Sequence, residues 1–173
     1  MTMIRLRLIS LFFLEAPLLA LAEAQTFSPA CADERFRQFD FWLGEWEVRT
    51  ADGKVAGTNR ISRALDGCVV LEEYATPSGF AGKSFNIFDK SRGVWHQTWV
   101  DNSGLLLDLE GGLVDGSMVL AGEVSGADGA KRQQRISWTP NADGTVRQLW
   151  ESKVASGEWQ VVFDGTYHKV GSE

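Results

Sequence analysis

Phe39-Asp40-Phe41-Trp42-Leu43-Gly44-Glu45-Trp46-Glu47-Val48 is the densest aromatic run in the chain, and its reading decides the fold. Ahead of it lie an apolar leader and a polar arm. Behind it the segments are short, alternate in polarity and are separated by turn signals. The run therefore reads as the chain entering its first β-strand. Gly44, with no Cβ, lets another backbone approach closely. Trp46 is large enough to plug one end of a barrel. Both are read as structural residues.

Ten candidate strands follow, at residues 41–50, 57–65, 68–75, 83–88, 94–100, 105–111, 117–124, 132–139, 146–152 and 159–168. Turn signals punctuate them, among them Ala51-Asp52-Gly53-Lys54, Asp66-Gly67, Asp89-Lys90-Ser91-Arg92-Gly93, Asp101-Asn102-Ser103-Gly104, Asp115-Gly116, Asp128-Gly129 and Asn141-Ala142-Asp143-Gly144. Asp-Gly pairs supply the positive φ that tight hairpins require. No stretch carries a helical apolar period of useful length. Short turns leave no room for the crossovers that parallel strands need. A long meander has to hide its edges, and closure does so. The expectation is an all-β, antiparallel up-and-down barrel of about ten strands. A sandwich would need longer cross-connections than the chain offers. A barrel of this width is not filled by its own side chains, so an interior cavity is expected.

Alternation groups residues by face without saying which face is inside. Trp95, Gln97 and Trp99 share one face, against His96, Thr98 and Val100. Gln134, Ile136 and Trp138 oppose Arg135, Ser137 and Thr139, and Val146, Gln148 and Trp150 oppose Arg147, Leu149 and Glu151.

The first 24 residues read as a secretory signal peptide. Arg5 and Arg7 give a positive start, Leu8-Ile9-Ser10-Leu11-Phe12-Phe13-Leu14 begins an apolar core, and Ala22-Glu23-Ala24 is a small-residue cleavage pattern before Gln25. Glu15 and Pro17 break the run, which argues against a retained membrane helix. Cys31 is a poor lipid-attachment site, because Ser28 stands where an aliphatic residue is usual. The organisation expected is a signal peptide at 1–24, an arm at 25–38 and a barrel domain at 39–173, in a periplasmic or secreted protein. Cys31 and Cys68 are the only cysteines, and an oxidising compartment favours a disulfide between them. The formal charge of −6 survives removal of the leader, which carries two arginines and two glutamates. An acidic chain without a basic stripe fits neither nucleic acid nor an anionic membrane surface, and no membrane insertion is expected.

The wider set of residues resembles a known group. Gly44-Glu45-Trp46 resembles the Gly-x-Trp signature of lipocalins and their calycin relatives. With Leu65-Asp66-Gly67-Cys68, Trp95-His96-Gln97-Thr98-Trp99-Val100-Asp101, Arg147-Gln148-Leu149-Trp150-Glu151 and Phe163-Asp164-Gly165-Thr166-Tyr167, the chain resembles exported bacterial lipocalin-like proteins of undefined function. The resemblance spans roughly residues 31–168 and implies the same barrel. It brings no substrate and no catalytic residue. In lipocalins a basic residue late in the barrel packs over the signature tryptophan. The last candidate strand has no arginine, so Arg147 or Lys169 would take that place.

The expected function is to bind a small, mostly apolar ligand in the cavity. Trp99 and Trp150 are expected to line it, with Gln97, Arg135 and Gln148 as polar anchors. One alternative is an enzyme using Glu72 or, preferred here, Glu73 with His96 as an acid–base pair, since a buried carboxylate titrates near neutrality. Another is a structural barrel without ligand, with a homodimer through one barrel face. No cofactor is expected. The exception considered is haem on His168, by analogy with haem-binding calycin relatives of the nitrobindin type. The chain's two histidines are too few for an ordinary zinc site.

Overall fold

The computed structural model describes residues 30–126, 129–154 and 157–171. The leader, the start of the arm and Asp128 of one expected turn lie outside the described residues. Ten strands follow one another: β1 (Gly44–Thr50), β2 (Val55–Ala64), β3 (Val69–Ala75), β4 (Ala81–Asp89), β5 (Val94–Asp101), β6 (Leu106–Val114), β7 (Ser117–Ser125), β8 (Lys131–Pro140), β9 (Val146–Val154) and β10 (Gln160–Lys169). Each pairs antiparallel with its neighbour in sequence, and β10 returns to β1, so the sheet is a closed barrel. The closing seam runs from Trp46 opposite Lys169 to Thr50 opposite Gly165. Every expected strand is present, with ends displaced by a few residues.

Turn chemistry sets the register. Between β6 and β7 the loop is Asp115-Gly116, both at positive φ (48° and 82°), which brings Val114 opposite Ser117. Two consecutive positive φ values match the twist of a tight hairpin, and glycine takes the second at no steric cost.

The aromatic run differs from its expected conformation in one respect. Residues 41–43 do not extend β1. Asp40–Trp42 form a 3-10 turn, and the strand starts at Gly44. The turn lets Phe39 and Trp42 enter the barrel end instead of lying in its wall. Phe39 stacks on Trp42 at 4.8 Å between centroids and meets Trp138 and Trp95 edge-on at 5.2 and 5.7 Å. Trp46 is buried beside them and donates from Nε1 to the Trp42 carbonyl at 2.9 Å. The Lys169 ammonium sits 5.3 Å from the centre of the Trp46 ring, so Lys169, and not Arg147, covers Trp46. Gly44 has φ 143°, and a Cβ there would lie 2.9 Å from Lys169 Cε. The Lys169 chain end could move aside, but a side chain at that φ would be strained, so the backbone conformation favours glycine.

The arm is fastened over this end. A first 3-10 turn, Glu34–Arg37, is capped by the Asp33 side chain, which accepts from Arg35 N at 2.9 Å. Its Phe36 is buried edge-on against Phe88 at 5.5 Å. Gln38 Oε1 accepts from Trp95 Nε1 at 3.0 Å. Arg37 donates to the carbonyls of Cys31 and Gly67, and Arg63 pairs with Asp40. Cys31 and Cys68 form a disulfide across 37 residues, with Cα atoms 5.1 Å apart.

In the chain-entropy account a crosslink across a loop of this length contributes roughly 4 kcal/mol. Reduction of the bridge should therefore lower the unfolding free energy by about 2–4 kcal/mol, read as a shift in the urea midpoint with and without reductant. An unchanged midpoint would show that the aromatic packing alone holds the arm.

Candidate functional site

With one barrel end filled by Phe39 and Trp42, open space lies toward the other. A cavity of about 220 Å³ is lined by side chains from β3, β5, β6, β8, β9 and β10 and by Phe80 of the β3–β4 loop. Its walls include Trp99, Leu107, Ile136, Trp150 and Phe163. Phe80 and Val162, 37% and 49% exposed, lie at its mouth. A second cavity of about 300 Å³ adjoins it and shares Leu107 and Trp150 as walls. Glycines shape the first. A Cβ on Gly82 would fall 2.2 Å from Trp99 Cζ2, and one on Gly57 2.8 Å from Tyr74 Cζ. Both rings lie against bare backbone and leave the centre free.

The polar part of the site is buried. Glu72 is 4% exposed, faces inward from β3 and lines the cavity. The register sets it opposite Ile61 of β2 and Ser84 of β4. Its Oε1 accepts from Asn59 Nδ2 at 2.7 Å, and its Oε2 from Ser84 Oγ at 2.6 Å. Ser84 Oγ in turn accepts from Asn86 Nδ2 at 2.9 Å and Gln97 Nε2 at 3.3 Å. Gln97 Nε2 also donates to Asn86 Oδ1 at 2.8 Å, and Asn86 Nδ2 to the Val70 carbonyl at 3.0 Å. On the other side Asn59 Nδ2 reaches Tyr167 OH at 3.2 Å, and Tyr167 donates to Gln148 Oε1. All of these partners of Glu72 are neutral. Burial pushes the Glu72 carboxyl up from 4.5 to about 7, against the opposing hydrogen bonds from Ser84 and Asn59. Burial, and then the Glu72 charge, raise both Tyr74 and Tyr167, so each phenol stays protonated at neutral pH.

The expected ligand-lining residues divide. Gln97, Trp99, Gln148 and Trp150 line the cavity. Arg135 does not. It shares the outer face of β8 with Ser137, pairs with Glu151 at 2.7 Å and lies over the Trp159 ring at 4.3 Å. The Glu73–His96 pair of the alternative enzyme reading does not form either. Glu73 points outward to Lys83 at 2.7 Å and Arg60 at 4.0 Å, while His96 contacts Glu110 and Thr98 on the outer face. His168 is exposed opposite Glu47, next to inward Tyr167, so neither histidine of the chain faces the cavity. Among the described residues no group of three or more His, Cys, Asp or Glu is arranged to hold a metal ion.

The inward carboxylate is the adjacent glutamate, Glu72, and its bed of Asn59, Ser84 and Asn86 was not singled out from the sequence. Their signal is the strand parity itself. In β4, Gly82, Ser84, Asn86 and Phe88 are buried, while Phe85 and Ile87 are 53% and 37% exposed. A rule of apolar residues inward turns this strand the wrong way.

No family model matches the chain, and no curated protein matches it.

The titration of Glu72 has a stability signature. The unfolded carboxyl ionises near 4.5 and the folded one near 7, so the native state holds its proton longer. Glu72 thus contributes stability fully below about pH 4.5, and this is lost as pH rises to about 7, by up to about 3 kcal/mol. Urea unfolding of wild type and Glu72→Gln between about pH 4.5 and pH 8 measures it. The variant should gain on wild type across that interval by up to about 3 kcal/mol.

Proposed function

We propose that this barrel is an exported carrier that holds a small, mostly apolar molecule in its cavity. The observation that carries the reading is the buried polar bed around Glu72, set at the floor of an aromatic pocket. Burying a carboxylate and three neutral polar side chains costs stability that apolar residues of similar size would not cost. Such local violations of packing preference concentrate at sites of function. Apolar walls with a few convergent polar groups are also how small-molecule sites are built.

Size bounds the ligand. A void of about 220 Å³ would hold about seven waters at ~30 Å³ each, below the usual range for drug-sized ligands. The part of the occupant that this cavity encloses is therefore compact, of the order of one ring with a polar head. Membership of the lipocalin-like group is part of the same proposal. The closed meander, Gly44 and Trp46 at the start of β1 and a basic side chain over that tryptophan support it. Export is supported by the Cys31–Cys68 disulfide, since such bridges persist in oxidising compartments. Among the described residues no helix is long and apolar enough to cross a membrane.

Binding can be read with indole or toluene as neutral probes, by calorimetry. Wild type should bind them. Leu107→Phe, which fills the wall shared by both cavities, should weaken binding at least about tenfold, the effect of roughly 1.4 kcal/mol of lost contact. Native mass spectrometry of protein taken gently from its own cells should show an adduct that Leu107→Phe loses. Probes that bind both proteins equally would place the site elsewhere.

A further inference from the structure

The charge lining the cavity narrows the ligand class. Two carboxylates line it, Glu72 at the floor and Asp101 toward the mouth, together with aromatic rings. Among the described residues no Lys, Arg or His lines it. We propose that the occupant is a small organic cation, an ammonium group on a compact apolar body, held by Glu72. This rests on the reading of the barrel as a carrier and names what it carries.

The bed behind Glu72 is arranged for a carboxylate that accepts. Ser84 Oγ already accepts from Asn86 and Gln97, so its own proton is directed to Glu72 Oε2. Asn59 Nδ2 supplies Oε1. Each carboxylate oxygen has a second acceptor position that these donors do not use. Cavity-side contact with the carboxylate is therefore contact with an acceptor that has no positive partner. An ammonium supplies the missing charge, and one that carries N–H groups supplies donors as well.

The walls suit the same ligand. Trp99 Nε1 is tied to Asp101 Oδ2 at 3.1 Å, and Trp150 Nε1 to Gln134 Oε1 at 2.8 Å. With their N–H groups engaged, these indoles present ring carbon to the cavity. Ring faces attract cations, most strongly where water is excluded. An anionic ligand would meet Glu72 at low dielectric with no cation to offset it. Burial raises the Asp101 carboxyl, but hydrogen bonds from Ser103 and Trp99 outweigh this and leave it below its ordinary value, so it stays charged through neutral pH.

The groups that face Glu72 or share its cavity are Asn59 of β2, Tyr74 of β3, Ser84 of β4, Gln97 and Asp101 of β5, Gln148 of β9 and Tyr167 of β10. Arg132 lines only the adjoining cavity. Of these, Glu72 is the group whose charge changes between pH 5.5 and pH 8. Binding of a permanent cation should follow it.

Calorimetry with benzyltrimethylammonium, its neutral isostere neopentylbenzene and the anion 3-phenylpropanoate tests the proposal. At about pH 8 the cation should bind wild type at least about tenfold more tightly than the isostere. Lowering the pH to about 5.5 should weaken the cation at least about tenfold and leave the isostere unchanged. Glu72→Gln should abolish the preference while still binding the isostere. If that variant does not fold, the wild-type pH series decides. An isostere or anion that binds wild type as tightly as the cation overturns the cation proposal and leaves the carrier reading standing. Failure of all three compounds and of indole overturns both.

Discussion

Everything in this molecule depends on the seam where β10 returns to β1. That pairing removes the last free edges of the sheet, and it also encloses a volume. Once the sheet is a cylinder, the question for each inward side chain is which part of the volume it fills. At one end Phe39 and Trp42 fill it, delivered by a 3-10 turn ahead of β1 and backed by Trp46, Trp95 and Trp138. At the other end the Tyr74 and Trp99 rings lie against Gly57 and Gly82 and leave space. The division between plug and cavity follows from where the bulky residues enter.

Glu72 sits at that division. Toward the plug, past Asn86 and Gln97, the interior is aromatic and aliphatic. Around Glu72, Asn59, Ser84, Asn86 and Gln97 form a connected set whose hydrogen bonds run toward the carboxylate. Asn59 Oδ1 is buried and unpaired, so this arrangement is not the most stable filling of the space. A desolvated carboxylate without a counter-ion is the kind of group that clusters at functional sites, and the carrier proposal rests on it.

Much of the architecture was legible because short strands and Asp-Gly turns have few other solutions. The period of two grouped Trp95 with Gln97 and Trp99, and Val146 with Gln148 and Trp150, as the structure does. The disulfide was legible from the cysteine count together with the expectation of export. What the sequence left open was which face is inside, and the reason is physical. Val69, Leu71 and Glu73 look much like Val70, Glu72 and Tyr74, and only pairing with Ile61 and Ser84 separates them. Val69 is buried although it shares the outward parity of Leu71 and Glu73. Arg135 was set inside as a polar anchor, but its charge is better accommodated outside, where Glu151 and Trp159 receive it. Phe41 and Trp42 have strand-forming side chains, yet closing the barrel end required them to leave the sheet.

The central claim is an unfilled, largely apolar space next to a buried carboxylate. Diffraction from crystals pressurised with xenon tests it most directly, since dry apolar cavities take up the gas. The account predicts a xenon site among Trp99, Ile136, Trp150 and Phe163, within the barrel and on the open side of Trp138. An interior free of xenon, with those side chains packed against one another, would contradict it.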